Sequence, residues 1–188
     1  SSAASDVYKR QSMVTILAIH GGGIEPATTE LAYTIAHRGD YNYFSFKGMR
    51  SEGNNELHVT STHYDDQIAL DLVRGSQRTV AIHGCEGNES VAYIGGSDDR
   101  LIELITESLE DIGISVREAP HHISGTQENN IVNMTQTQGG VQLELTAQLR
   151  KELFKNRKSS RKNRENKDNW DDLMYDFADA MKKAIERA

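Results

Sequence analysis

The sequence predicts an α/β protein arranged as a three-layer sandwich with a mixed central sheet. Short apolar runs alternate with segments of helical periodicity along most of the chain, the pattern of strands covered by helices. Two of these runs, "LAIHGG" and "VAIHGC", end in the same His-Gly pair, as expected of core strands that deliver side chains to the carboxyl edge of a sheet. The 188 residues, with hydrophobic content of 37%, suit one modest core better than two.

In chain order, "SSAASDVYKRQ" has no apolar periodicity, and residues 1–12 read as a disordered leader or remnant outside a single domain of residues 13–188. "MVTILAIH" (13–20) reads as a buried strand. "PATTELAYTIAHRGD" reads as a helix, with Pro26 near its first turn and Gly39 ending it. "YNYFSFKG" (41–48) and "ELHVTSTHY" (56–64) alternate like strands, and "DDQIALDLVRG" reads as a short helix. "TVAIHGC" (79–85) is a second buried strand, followed by "SVAYIGGS" and the helix "DDRLIELITESLEDIG", which Asp98 can cap. "ISVREAP" and "GGVQLELT" supply two more strands, then helices follow from Thr146 and from about Trp170.

Charge and hydropathy narrow the classes. No apolar run approaches the roughly 18 residues of a membrane span, and Met13 to Ile19 is too short and poorly flanked for a signal peptide. A cytosolic protein, released only by host lysis, is therefore expected. One cysteine, Cys85, excludes an internal disulfide. The net charge of −7 conceals a bipolar distribution, because residues 150–167 carry nine Lys or Arg against two acids. That stretch is either a solvated connection or a patch that steers a polyanion. With Phe154 as its one aromatic and a pI of 5.5 for the chain, a nucleic-acid partner is disfavoured.

Two chemistries compete for "HGGGIE" (20–25). HGGG can form the oxyanion hole of a serine esterase, but the chain lacks the G-x-S-x-G elbow which that reading needs. Alternatively, His20 and Glu25 bind a metal. On a helix their five-residue separation would turn them about 140° apart, so they converge only across a loop, which Gly21, Gly22 and Gly23 permit. His83, in the same setting as His20, completes a His₂Glu set that leaves one position open, as zinc hydrolases require. Glu144, between Leu143 and Leu145 with polar Gln142 on its own face, is the candidate base. His63, His121 and His122 also follow apolar stretches and stand as other possible ligands. Cys85 as a nucleophile is the weaker option, since a lone cysteine is more often packed as a small hydrophobe.

The ordered motifs "IHGGGIE", "FKG…GNNELHVTSTHYDD", "VAIHGCEG", "NNIVN" and "GGVQLEL…LR" run from about Met13 to Arg150. In these the chain resembles the phage and prophage poly-γ-glutamate hydrolases. Met134 stands where that pattern often carries a basic residue, and "THYDDQ" departs from its more usual "THFDEP". The resemblance implies a zinc carboxypeptidase-like fold, a Zn²⁺ cofactor and hydrolysis of γ-glutamyl amide bonds in a capsule polymer. By motif position it implies His20, Glu25 and His83 as metal ligands and Glu144 as the catalytic carboxylate. Lys47, Arg50, His63 and Asn130 are the candidates for binding a polyanionic substrate, Arg50 because its fork can hold a carboxylate bidentately. A monomer is expected. The alternatives are an amidase or deformylase of small acylated amino acids, and a non-enzymatic phage protein that binds nucleic acid.

Overall fold

The two runs that end in His-Gly are adjacent central strands of a single sheet. β2 (Val14–Gly22) and β4 (Arg78–Cys85) run parallel, pairing from Val14↔Arg78 to Leu17↔Ala81. The computed structural model describes residues 2–61 and 63–188, and seven strands appear among them. The others are β1 (Ala3–Tyr8), β3 (Asn42–Gly48), β5 (Ala92–Gly96), β6 (Val116–Glu118) and β7 (Val141–Thr146). Their order is β1-β3-β2-β4-β7-β5-β6, with β1 antiparallel to β3 and β5 antiparallel to β7, so the sheet is mixed as the sequence predicts.

Helices α1 (Thr28–Gly39), α3 (Asp99–Asp111) and α6 (Asp172–Arg187) cover one face and pack on Ile16, Ala18, Val80, Ile82, Leu143 and Leu145. The opposite face presents Leu17, Ile19 and Ala81 to α2 (Gln67–Arg74) and to Ile131 and Val132. This second layer is thinner and leaves room for a cleft. Side-chain caps start the helices where the sequence places them: Asp66 accepts from Ile68 and Ala69, Asp98 from Leu101, and Thr146 from Leu149 at the head of α4 (Ala147–Glu152). A further short helix, α5, spans Arg161–Arg164. At the end of α1, Asp40 and not Gly39 takes the left-handed conformation, at φ 55°.

Two expectations are corrected. Residues 3–8, expected to be disordered, form the edge strand β1, registered from Ala3↔Gly48 to Tyr8↔Tyr43. Edge position explains the missing signal: the strand is half-buried, held by its ladder, by the Asp6–Lys47 ion pair at 2.7 Å and by Tyr8 against Tyr33 and Tyr43, so it needs no apolar alternation. Residues 56–64 are not a strand. They follow from a 3₁₀ turn at Asn54–Leu57 into an irregular loop in which Val59 is exposed, with Thr62 outside the described residues. The loop's His58, Thr60, Ser61 and His63 line the cleft instead.

Candidate metal centre and active-site cleft

The cleft opens where β2 and β4 part. Their pairing stops at Leu17↔Ala81, whereas β2 continues beside β3 to Gly22 and β4 beside β7 to Cys85↔Thr146. β2 leads through α1 to β3 on one side while β4 lies on the other, which makes this gap the switch point where α/β sheets bind ligands.

His83 continues the alternation of Ala81 and therefore points to the thinner face, directly beside Glu144, its registered partner on β7. Strict alternation along β2 would send His20 to the opposite face, with Ile16 and Ala18. A register shift between Ala18 and Gly21 prevents this, since the bulged strand re-aims His20 toward His83. The chain then turns sharply: Gly22 lies at φ +62°, tight against the Gly48 backbone, and the Glu25 amide returns to the His20 carbonyl at 2.8 Å. Glu25 is thereby folded back over the strand end, and the Gly84 amide donates to its Oε1 at 3.0 Å.

Three ligand-type atoms meet here. His20 Nδ1 lies 3.1 Å from His83 Nδ1, and Glu25 Oε1 lies 3.3 Å from the first and 3.4 Å from the second. Bonds of about 2.0–2.1 Å in a tetrahedral arrangement separate ligand atoms by roughly 3.3 Å, so this triangle fits a zinc-sized ion. The tautomer fits as well. His20 Nε2–H donates to the Val59 carbonyl at 2.6 Å, which leaves Nδ1 as a lone pair facing the other two atoms. Among the described residues, His20, Glu25 and His83 form the one cluster of at least three side chains placed to hold a metal ion; His63, His121 and His122 are not part of it.

The electrostatics agree with the geometry. Burial pushes the Glu25 carboxyl up, but facing His20, His58 and His83 more than reverse this and hold it far below the usual carboxylate range. Burial lowers His20, whereas at His83 burial is outweighed by the Glu144 and Glu25 carboxylates and the ring is raised. Glu144, 4.0 Å from His83 Nδ1, is pushed up to about 7 by burial, partly offset by His83. Its Oε2 accepts from the Gln142 amide at 3.3 Å, and Gln142 Oε1 in turn accepts from Asn130 at 3.0 Å.

The cleft, about 560 Å³, is lined by five of the chain's seven histidines: His20, His58, His63, His83 and His122. His58 was not legible as a site residue. It stacks on His20 with ring centroids 3.8 Å apart, and its Nε2 lies 3.7 Å from Glu25 Oε2. His63 is exposed on the rim with Thr60 beside its Nδ1 at 3.2 Å, while His121 lies outside the lining. Asn130 reaches the cleft wall, where its amide donates to Gln142 and its oxygen accepts from the Val132 amide, so it braces Gln142. Lys47 and Arg50 are not brought to the cleft: Lys47 pairs with Asp6, and Arg50 is held by Glu56 and the Gly53 carbonyl. Cys85 lines the cleft as a neutral thiol, pushed up to about 11 by burial and by Glu144, which argues against a thiolate nucleophile.

The solved structure of a bacteriophage poly-gamma-glutamate hydrolase superposes on 99% of this chain and 89% of its own, with a TM-score of 0.94 and 31% identity. A structure of YndL described as zinc-free matches 98% of this chain and 90% of its own, with a TM-score of 0.91 and 30% identity. In sequence, the SPbeta prophage-derived UPF0714 protein YoqZ of Bacillus subtilis is 39% identical over 80% of the chain, and YmaC of the same organism is 32% identical over 95%. The matched parts cover 54% of YoqZ and 74% of YmaC, so the chain spans little more than half the length of the first of these relatives. The family model for poly-gamma-glutamate hydrolase matches residues 3–180, taking in β1 and all but the last turns of α6. On a match of that extent, the chain belongs to the poly-gamma-glutamate hydrolase family.

Proposed function

We propose that this protein is a zinc-dependent hydrolase of the γ-glutamyl amide bonds of poly-γ-glutamate, with His20, Glu25 and His83 as metal ligands and Glu144 as general base. The observation that carries this reading is the triangle of two imidazole nitrogens and one carboxylate oxygen, with sides of 3.1, 3.3 and 3.4 Å, beside a carboxyl that is not part of it. A divalent ion held there supplies Lewis-acid polarisation of the scissile carbonyl and acidification of the attacking water.

The chain's own residues supply the rest. Glu144 takes the proton of the attacking water and returns it to the leaving amine, and a carboxyl raised to about 7 is matched to that exchange near neutral pH. The Gln142 amide, braced by Asn130, orients Glu144 Oε2. The Val59 carbonyl and the His58 ring fix the orientation of His20. Lys47 and Arg50 are engaged elsewhere; of the exposed histidines in the cleft lining, His58 is stacked on His20, which leaves His63 and His122 suited to substrate carboxylates. Elemental analysis of the purified protein is expected to find about one zinc per chain, and stripping it should abolish the fall in viscosity of a poly-γ-glutamate solution. Full turnover in metal-free protein would overturn the reading.

The basic stretch has a separate part in this proposal. Arg157, Lys158, Arg161, Lys162 and Lys167 are exposed, and Arg161 Nη1 donates to the Met49 carbonyl just beyond β3, the strand that flanks the Gly22 turn. We assign these cations to capture of the polymer. Neutralising Arg157, Lys158 and Lys162 is expected to weaken polymer binding more at low salt than at high salt, because exposed charges are screened beyond about 10 Å at 0.1 M. Turnover of a short γ-glutamyl oligomer should change little, and an equal loss on both substrates would place the stretch in the active site instead.

A further inference from the structure

Arg150 looks from sequence like the first residue of the solvated basic run, yet its guanidinium is turned inward beneath the cleft. Nε donates to the Leu145 carbonyl at 3.1 Å, Nη1 to the Pro26 carbonyl at 3.0 Å and Nη2 to the Cys85 carbonyl at 2.9 Å. These acceptors lie on three separate chain segments, each within two positions of a site residue. Pro26 follows Glu25, Leu145 follows Glu144, and Cys85 follows Gly84, the residue that joins it to His83 and whose amide holds Glu25.

A second observation ties the arrangement to the local backbone. A side-chain carbon at Gly84 would stand 2.6 Å from Arg150 Cζ, so the guanidinium occupies the space that the absent Gly84 side chain leaves. β2 and β4 have already separated at this level, so no shared ladder fixes the Glu25 turn against β4 and β7. A rigid planar fork of donors does what the ladder no longer does.

We propose that Arg150 is a positioning residue that sets the mutual placement of Glu25, His83 and Glu144, and through it the affinity of the site for its metal. The proposal rests on the reading of His20, Glu25 and His83 as ligands. Its test compares Arg150→Met and Arg150→Lys with Arg164→Met, which removes a buried arginine that donates to the Ser159 carbonyl away from the cleft. The readouts are zinc affinity by chelator competition, the visible absorption spectrum of the Co²⁺-substituted protein, and thermal unfolding without metal.

Arg150→Met is expected to lose about 10–100-fold in zinc affinity, as removal of outer-shell partners does, and to alter the Co²⁺ spectrum. Arg150→Lys, which keeps the charge but not the fork, should fall between parent and Arg150→Met. Arg164→Met should bind zinc like the parent, however much its unfolding temperature drops. Parent-like zinc affinity and an unchanged Co²⁺ spectrum in Arg150→Met would overturn the proposal and leave the metal reading intact, even if the variant were less stable. Should Arg150→Met fail to fold, the same two measurements on Arg150→Lys decide in the same way. A parent protein that binds no zinc would overturn the ligand assignment and this inference together.

Discussion

Glu144→Gln is expected to fold, to retain zinc and polymer binding, and to lose about 10²–10⁴ in turnover, the usual cost of removing a positioned proton acceptor. The amide keeps the shape of the carboxylate but cannot accept the proton of the attacking water. Zinc content and turnover should be measured on the same preparation: turnover within a few-fold of parent would pass the role to another group, and lost zinc would make Glu144 a ligand. In the parent, kcat/KM should fall as pH drops through a midpoint at or below about 7, because the protonated carboxyl has nothing to offer and a bound cation can only draw the midpoint lower.

The same substitution carries a stability effect of opposite sign. In the metal-free fold burial pushes Glu144 up to about 7 from an ordinary carboxyl value of about 4.5, so between these values the folded state keeps a proton that the unfolded chain has already released. Its contribution to stability is therefore full below pH 4.5 and lost as pH rises toward 7, a penalty at pH 8 of up to about 3 kcal/mol. Metal-free Glu144→Gln should accordingly melt above metal-free parent at pH 8 and not at pH 4, which differential scanning fluorimetry can check.

Removing a ligand is the other large effect. His20→Ala and His83→Ala are expected to lose zinc and turnover together, with affinity falling by more than the roughly 10–100-fold cost of an outer-shell change. His20→Ala also leaves the Val59 carbonyl without its donor. His121→Ala, outside the cleft lining, should keep its metal, and His63→Ala should keep metal while raising KM for the polymer. Metal lost on changing His63 or His121, with His83→Ala unaffected, would refute the ligand set.

The parts of this protein that were legible in sequence are those whose burial leaves a periodic mark. β2, β4 and β7 are buried on both faces, so their apolar runs stand out, and the His-Gly echo marks where two of them end. β1 left no such mark because an edge strand is held by backbone pairing and partial burial. "ELHVTSTHY" alternates as a strand would, yet the alternation of Leu57 and Val59 with polar residues reflects a loop that turns some groups to the cleft and Val59 to solvent. The side chains that work at a distance in sequence were the hardest to see. Arg150 was hidden in a charge run, and Lys47 and Arg50 were attractive as cations only because their partners Asp6 and Glu56 are contributed by segments read as disordered or as a strand.

The register shift in β2 makes the site a matter of counting as well as of chemistry. Between Ala18 and Gly21 one strand advances three residues while its neighbour advances two, and this odd step decides which side of the sheet receives the His20 imidazole. Were the strand straightened with every residue kept, the imidazole would project under α1 on the side of Ile16 and Ala18 instead of toward His83. The backbone irregularity before the histidine is therefore as much a part of the triangle as the three side chains that form it.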